Sequence, residues 1–231
     1  MVDRDENTLP LVEPDSTGEE ARERANELGR LVSLSDGVFA FAMTLLVVSV
    51  EIPALSGHEA RTLLAHDVGQ LWPQMLSFVI GFLVIGFLWS SHRRIFSRVR
   101  DFDDALIRFN ILLLMLVAFL PFPTSILGRY GNLAFPSVFY ALVFCAISLV
   151  YFLILDHLDR NRSLMTRKGI DFDFPRLKAR HLVSTGVFLL SIPVAFAVPG
   201  FGQLTWLLLA FNHRISEWLV VRFPRLIRER Q

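Results

Sequence analysis

Arg30-Leu31-Val32-Ser33-Leu34-Ser35-Asp36-Gly37-Val38-Phe39-Ala40-Phe41-Ala42-Met43-Thr44-Leu45-Leu46-Val47-Val48 carries no charge between Asp36 and its end. A run of this length, at 1.5 Å per residue as a helix, is close to what crosses a hydrocarbon core about 30 Å thick. With its flanks the run extends over Leu31–Ile52, and five more follow at about Leu71–Ser91, Ala105–Leu127, Leu133–Leu155, Leu182–Val198 and Gly202–Val221. The chain has 231 residues, 53% of them hydrophobic and 19% charged, with a mean hydropathy of +0.47. Soluble domains sit near 45–50% apolar and about 25% charged, so a water-soluble enzyme, a secreted disulfide scaffold and a disordered chain are excluded. The expected fold class is all-α, a polytopic membrane protein with six transmembrane helices. The fifth run is short and holds Pro193, and the sixth holds His213, Arg214 and Glu217. An amphipathic stretch at the cytoplasmic surface also accounts for the sixth.

Lys and Arg set the orientation. Four precede the first run (Arg4, Arg22, Arg24, Arg30), and four lie between the second and third (Arg93, Arg94, Arg98, Arg100). Seven lie between the fourth and fifth (Arg160, Arg162, Arg167, Lys168, Arg176, Lys178, Arg180), and four follow the sixth (Arg222, Arg225, Arg228, Arg230). The alternate connections hold only Arg61 and Arg129. Nineteen against two predicts both termini in the cytoplasm and an even number of crossings. Residues 1–29 hold nine acidic residues and no apolar core of a signal peptide, and predict an acidic, largely disordered cytoplasmic tail. Within it Glu19 to Leu28 can form a short charged helix. The membrane domain is expected over 30–221 and a basic cytoplasmic tail over 222–231. The short loops suit a prokaryotic inner membrane. A net charge of +1 gives no field for nucleic acid, and the lone Cys145 can make neither an internal disulfide nor a cysteine-based metal site.

Polar residues inside the spans carry the functional reading. Ser35 and Asp36 suit either a hydrogen-bonded knot with other helices or a proton or cation site. Gly37, Ala40 and Ala42 allow close helix approach. Phe41, Thr44, Leu45 and Val48 recur at i, i+3, i+4 and i+7 and share one helix stripe, which periodicity alone assigns to packing. Thr44 can bond back to the Ala40 carbonyl. Trp89 suits an interfacial anchor, and His92 either a headgroup-level residue or a partner for Asp36. Asp104 and Arg108 can pair at i, i+4, as can Arg214 and Glu217 at i, i+3. Asn110 needs a partner across a helix interface. No phosphate loop, zinc-protease helix or nucleophile elbow is present, so no catalytic residue and no metal site is assigned. Tyr130-Gly131 lacks the preceding residues of a carbonyl selectivity filter.

The opening Arg30-x-x-x-Leu34-Ser35-Asp36-Gly37 resembles the Arg-x-x-x-Phe-Ser-Asp signature of the transmembrane protein 175 family of potassium channels. A second block, Trp89, His92, Phe96, Asp103 or Asp104, Asn110 and Pro121-Phe122-Pro123, resembles the same family's Trp-x-x-His-x-x-x-Phe … Asn … Pro-Phe pattern. The two blocks cover roughly residues 30–127. The resemblance implies a six-span subunit that assembles as a homotetramer around a pore lined by the first helix, in contact with membrane lipid and without a cofactor. Phe41 then forms an inner apolar ring, Thr44 a threonine ring meeting potassium in transit, Leu45 a flanking contact and Val48 an outer ring. Arg30, Ser35, Asp36, His92 and Asn110 form a polar network holding the helix. Leu34 stands where the signature has Phe, and Phe41 where members usually carry Ile or Leu. The rival expectation is a proton-coupled transporter or proton conduit that uses Asp36 and His92 as a relay.

Overall fold

The computed structural model describes residues 16–51, 57, 66–170 and 173–222. They are helical almost throughout: α1 (Ser16–Val48), α2 (Trp72–Phe96), α3 (Asp104–Phe119), α4 (Pro121–Tyr130) and α5 (Ala134–Arg160) come first. A 3-10 turn (Arg162–Leu164), the one-turn α6 (Arg167–Ile170), α7 (Phe174–Ala197), a 3-10 helix (Gly202–Phe211) and α8 (Asn212–Arg222) complete the order. The described residues include no strand, only an isolated antiparallel bridge between Val99 and Met165.

Among the described residues, five segments are long and apolar enough to cross a membrane: Arg22–Val48, Trp72–Phe96, Asp104–Tyr130, Ala134–Arg160 and Phe174–Ala197. The chain is a multi-pass, all-helical membrane protein. The sixth expected run takes a different form, ten residues of 3-10 helix passing at Asn212 directly into α8. Within the expected acidic tail, residues 16–29 are helical and continuous with the first span. The remainder of that tail, residues 1–15, and residues 223–231 of the basic tail lie outside the described residues.

Local chemistry sets the helix ends. At the start of α3 the Asp103 side chain accepts from the Leu106 N–H at 2.9 Å, and at the start of α7 Asp173 accepts from the Arg176 N–H at 3.2 Å. The third span is broken between α3 and α4 because Pro121 has no N–H to give the Val117 carbonyl. That carbonyl takes the Leu120 N–H instead, at 3.1 Å. The Leu120 carbonyl accepts both the N–H and the hydroxyl of Thr124. Pro193, by contrast, sits inside α7 and does not end it.

The C-terminal half is built on α5 and α7, the most extensive helix pair, with the 3-10 helix and α8 against α7. Tyr140, Phe144, Phe188 and Trp206 stack between them. Lys178, buried on α7, reaches Asp156 at 3.0 Å and Asp159 at 3.1 Å on α5. In the N-terminal half α1 packs on α2, α3 and α4, and α2 packs on α4. The last crossing is close. A Cβ at Gly81 would lie 2.9 Å from the Thr124 methyl, and one at Gly128 would lie 3.1 Å from the Gln74 Cα. The small residues singled out on α1 divide differently: Ala42 is buried, while Ala40 is exposed and Gly37 has open space around it. Two expected ion pairs are also corrected. Asp104 and Arg108 are both exposed and unpaired among the described residues, the start of α3 being capped by Asp103. Glu217 meets Arg176 on α7 at 3.4 Å rather than Arg214, because α8 packs on the N-terminal part of α7.

Candidate functional site

The two faces of α1 differ sharply. Ser35, Phe39, Ala42 and Leu46 are each no more than 1% exposed and turn into the subunit. Their spacing of four, three and four residues draws one stripe along a helix. The opposite stripe, Leu34, Gly37, Phe41, Thr44 and Val48, is exposed along its whole length. Phe41 is 61% and Val48 67% exposed, and Leu45 lies half-buried at the stripe's edge. Packing inside the subunit therefore does not explain why these residues are apolar.

Thr44 is oriented on that stripe by its own helix. Its hydroxyl donates to the Phe41 carbonyl at 2.8 Å, three residues back, and not to Ala40. With the proton committed to the backbone, the oxygen presents its lone pairs outward.

Behind the stripe, three helices are tied at one level. Ser35 Oγ donates to the Leu31 carbonyl at 2.8 Å, so it must accept from its other neighbour. That neighbour is Asn110 on α3, whose Nδ2 donates to Ser35 Oγ at 3.0 Å. The Asn110 carbonyl Oδ1 is then turned to His92 on α2, whose Nε2 donates to it at 2.9 Å. The chain from imidazole through amide and hydroxyl to backbone carbonyl has one direction of donation. Ser35, His92 and Asn110 are all fully buried, and an unpaired polar group there would be costly. His92 also stacks on Phe96, with ring centroids 4.2 Å apart, and its Nδ1 has no hydrogen-bond partner.

Asp36 and Arg30 stand outside this chain. The Asp36 carboxylate is exposed and accepts from the Trp89 indole N–H at 2.8 Å, while Arg93 lies over the Trp89 ring at 5.7 Å. Asp36 therefore partners Trp89, and His92 partners Asn110, so no hydrogen bond links the two residues of the expected relay. Arg30 is exposed and has no hydrogen-bond or ion-pair partner among the described residues. The Trp89 contact has a legible signal in the sequence: an indole and a carboxylate, each near the charged end of an apolar run.

Just past the other end of α1, Glu51 pairs with Arg129 of α4, and its backbone N–H donates to Gln74 Oε1 at 3.2 Å. The exposed stripe thus runs between two polar anchorages, with only apolar residues and one threonine in its central part.

These features define a multi-pass helical membrane protein whose N-terminal helix is fixed on one face and free on the other. The family model described as the endosomal/lysosomal potassium channel TMEM175 matches residues 30–121. A potassium channel of Streptomyces collinus is 34% identical over 191 residues, which cover 76% of this chain and 89% of that one. A potassium channel of Chamaesiphon minutus is 35% identical over 174 residues, covering 74% and 85%. The crystal structure of a lysosomal potassium-selective channel TMEM175 homolog from Chamaesiphon minutus matches with a TM-score of 0.65 at 30% identity. That match covers 85% of this chain and 98% of the other. The chain belongs to the TMEM175 family of ion channels.

Proposed function

We propose that the chain is the subunit of a potassium-permeable channel of the inner cell membrane, formed by four copies that bring the exposed stripe of α1 to a common axis. Family membership and the potassium-channel relatives support the permeant ion. The observation that carries the pore is the exposed, charge-free stripe of Phe41, Thr44 and Val48 on a helix whose other face is fully packed. The 3-10 helix and α8 together make a sixth crossing, which returns the C-terminus to the side of the N-terminus and agrees with the nineteen-to-two bias of Lys and Arg.

Four Phe41 rings converging on an axis form an apolar constriction that gates by dewetting. Beyond it the Thr44 oxygens offer neutral ligands to a cation that has shed part of its water. Potassium holds its hydration less tightly than sodium, so apolar collars around a neutral oxygen ring favour potassium. Val48 forms the outer collar and Leu45 flanks the threonine. Ser35, His92 and Asn110 fix the rotation of α1 and hence the direction of the stripe, while the Trp89 bond to Asp36 secures its inner end.

The test is separate measurement of potassium, sodium and proton flux through protein reconstituted in liposomes. Potassium flux well above sodium flux is expected, rising in Phe41→Ala and losing selectivity in Thr44→Ala. Absence of potassium flux in all three forms, or proton flux alone that disappears in His92→Gln, would overturn the reading in favour of a proton conduit.

A further inference from the structure

A second site is lined, among the described residues, by α2, α5, α7 and the 3-10 helix and by no residue of α1. Between α2 and α7, which approach without packing closely, a cavity of about 440 Å³ opens on the surface. Its walls are apolar over most of their length, with Leu83 and Phe87 of α2 facing Phe188 of α7 and Trp206 of the 3-10 helix. At about 30 Å³ for a water-sized group, that is room for roughly fifteen methylenes. The wall becomes cationic at one end. Arg180 lines the cavity there and, with Arg94 of α2, also lines a narrow cleft that continues it. The two guanidinium groups line the same cleft, and neither has a hydrogen-bond or ion-pair partner among the described residues; the nearby carboxylate that acts on Arg180, Glu217, is already paired with Arg176. His181, only 4% exposed, lies in the same cleft with no partner for its ring nitrogens among the described residues. Two arginines lining one cleft at the mouth of an apolar slot, with one carboxylate near them that Arg176 already shares, leave an excess of positive charge that an anion between them offsets.

We propose that this slot binds an anionic phospholipid, with its phosphate between Arg94 and Arg180 and one acyl chain lying along Phe87, Phe188 and Trp206. Arg94 and Arg180 belong to the connections that carry the excess of positive charge, so the site accepts lipid from the cytoplasmic leaflet. Phosphate suits arginine through paired N–H donors, and the apolar walls select a lipid over a free ion. The bound chain fills space that no helix of the subunit occupies and bridges the N-terminal and C-terminal halves.

Purified full-length protein is melted in neutral detergent with dioleoyl phosphatidylglycerol, with dioleoyl phosphatidylcholine or with inorganic phosphate. Phosphatidylglycerol should raise the midpoint by several degrees more than phosphatidylcholine, and inorganic phosphate should leave it unmoved. The difference between lipids should vanish in the Arg94→Gln, Arg180→Gln double variant. Equal effects of both lipids, an equal rise with inorganic phosphate alone, or a difference that survives the double variant would overturn the assignment. A second measurement does not depend on the arginine variants. In vesicles of phosphatidylglycerol brominated on its acyl chains, tryptophan quenching should drop in Trp206→Phe by more than loss of one average indole. Trp206 that proves unquenched would mean that the slot is filled by another copy's helix, and would also overturn the proposal.

Discussion

Helices α1 and α5 read alike in the sequence, both long and strongly apolar, yet they occupy opposite roles. In an apolar 18-residue stretch of each, 56% of the α5 residues are buried inside the subunit, against 22% of those of α1. α5 is the helix around which α3, α4 and α7 assemble, and its apolar residues are spent on intramolecular packing. On α1 one stripe is spent that way and the other is left over. Hydropathy reports that a side chain avoids water, not whether it meets its own subunit, lipid or a neighbouring copy. The difference between the two helices therefore locates the surface reserved for something outside the subunit.

The contrast can be broken most directly by truncating one residue on each helix. Ile154 on α5 is fully buried, and Ile154→Ala should lower subunit stability by about 2–4 kcal/mol through the cavity it leaves. Phe41→Ala, on the exposed stripe, should change subunit stability by less than about 0.5 kcal/mol. Unfolding in a detergent that keeps subunits separate measures both, and similar losses would erase the distinction. A smaller effect is expected where α1 is tied to its neighbours. Asn110→Leu leaves the His92 Nε2 and Ser35 Oγ without their buried partner and should cost about 1–3 kcal/mol in the same assay. An unchanged midpoint would mean that the polar chain does not hold α1.

The smallest effect belongs to Asp103 at the start of α3. Burial raises its carboxyl, but the Leu106 N–H and the His157 ring, 2.8 Å away, outweigh that and hold it below the usual carboxylate range. A carboxylate depressed on folding stabilises in full above its unfolded value of about 3.9, and the contribution drains away as pH falls through the lower folded value. Asp103→Asn should therefore melt slightly below the parent at neutral pH, by the worth of an exposed cap, and the gap should close below about pH 4. A gap that persists in acid would show that the carboxylate charge is not what stabilises the cap.

Much of this architecture is legible in the sequence because lipid forces long helices and makes each polar exception conspicuous. Five of the six apolar runs correspond to long helices, and Asn110 finds the cross-helix partners its burial demands. Other features depend on which helices become neighbours. Trp89 and Asp36 each lie near the charged end of an apolar run, but so does His92, and nothing local chooses between the two as the partner of Asp36, or between Arg176 and Arg214 as that of Glu217. Both choices are settled by packing angles between helices far apart in sequence. The close crossing at Gly81 and Gly128 is hidden for the same reason: each glycine is unremarkable until α2 and α4 are brought together. The 3-10 form of Gly202–Phe211 has no signal in hydropathy, which counts apolar residues and is blind to the pitch that carries them.

Among the described residues, α1 and the residues just after it are tied to the rest of the subunit at three heights: Arg24 to Asp101, Ser35 to Asn110 with Asp36 to Trp89, and Glu51 to Arg129. The helix runs without a break from Ser16 to Val48, so the three ties hold one continuous rod. At about 1.5 Å per residue, that rod is roughly 36 Å long from Arg24 to Val48. A rod pinned near both ends and in the middle does not pivot, so a sideways push leaves the direction of its free face unchanged.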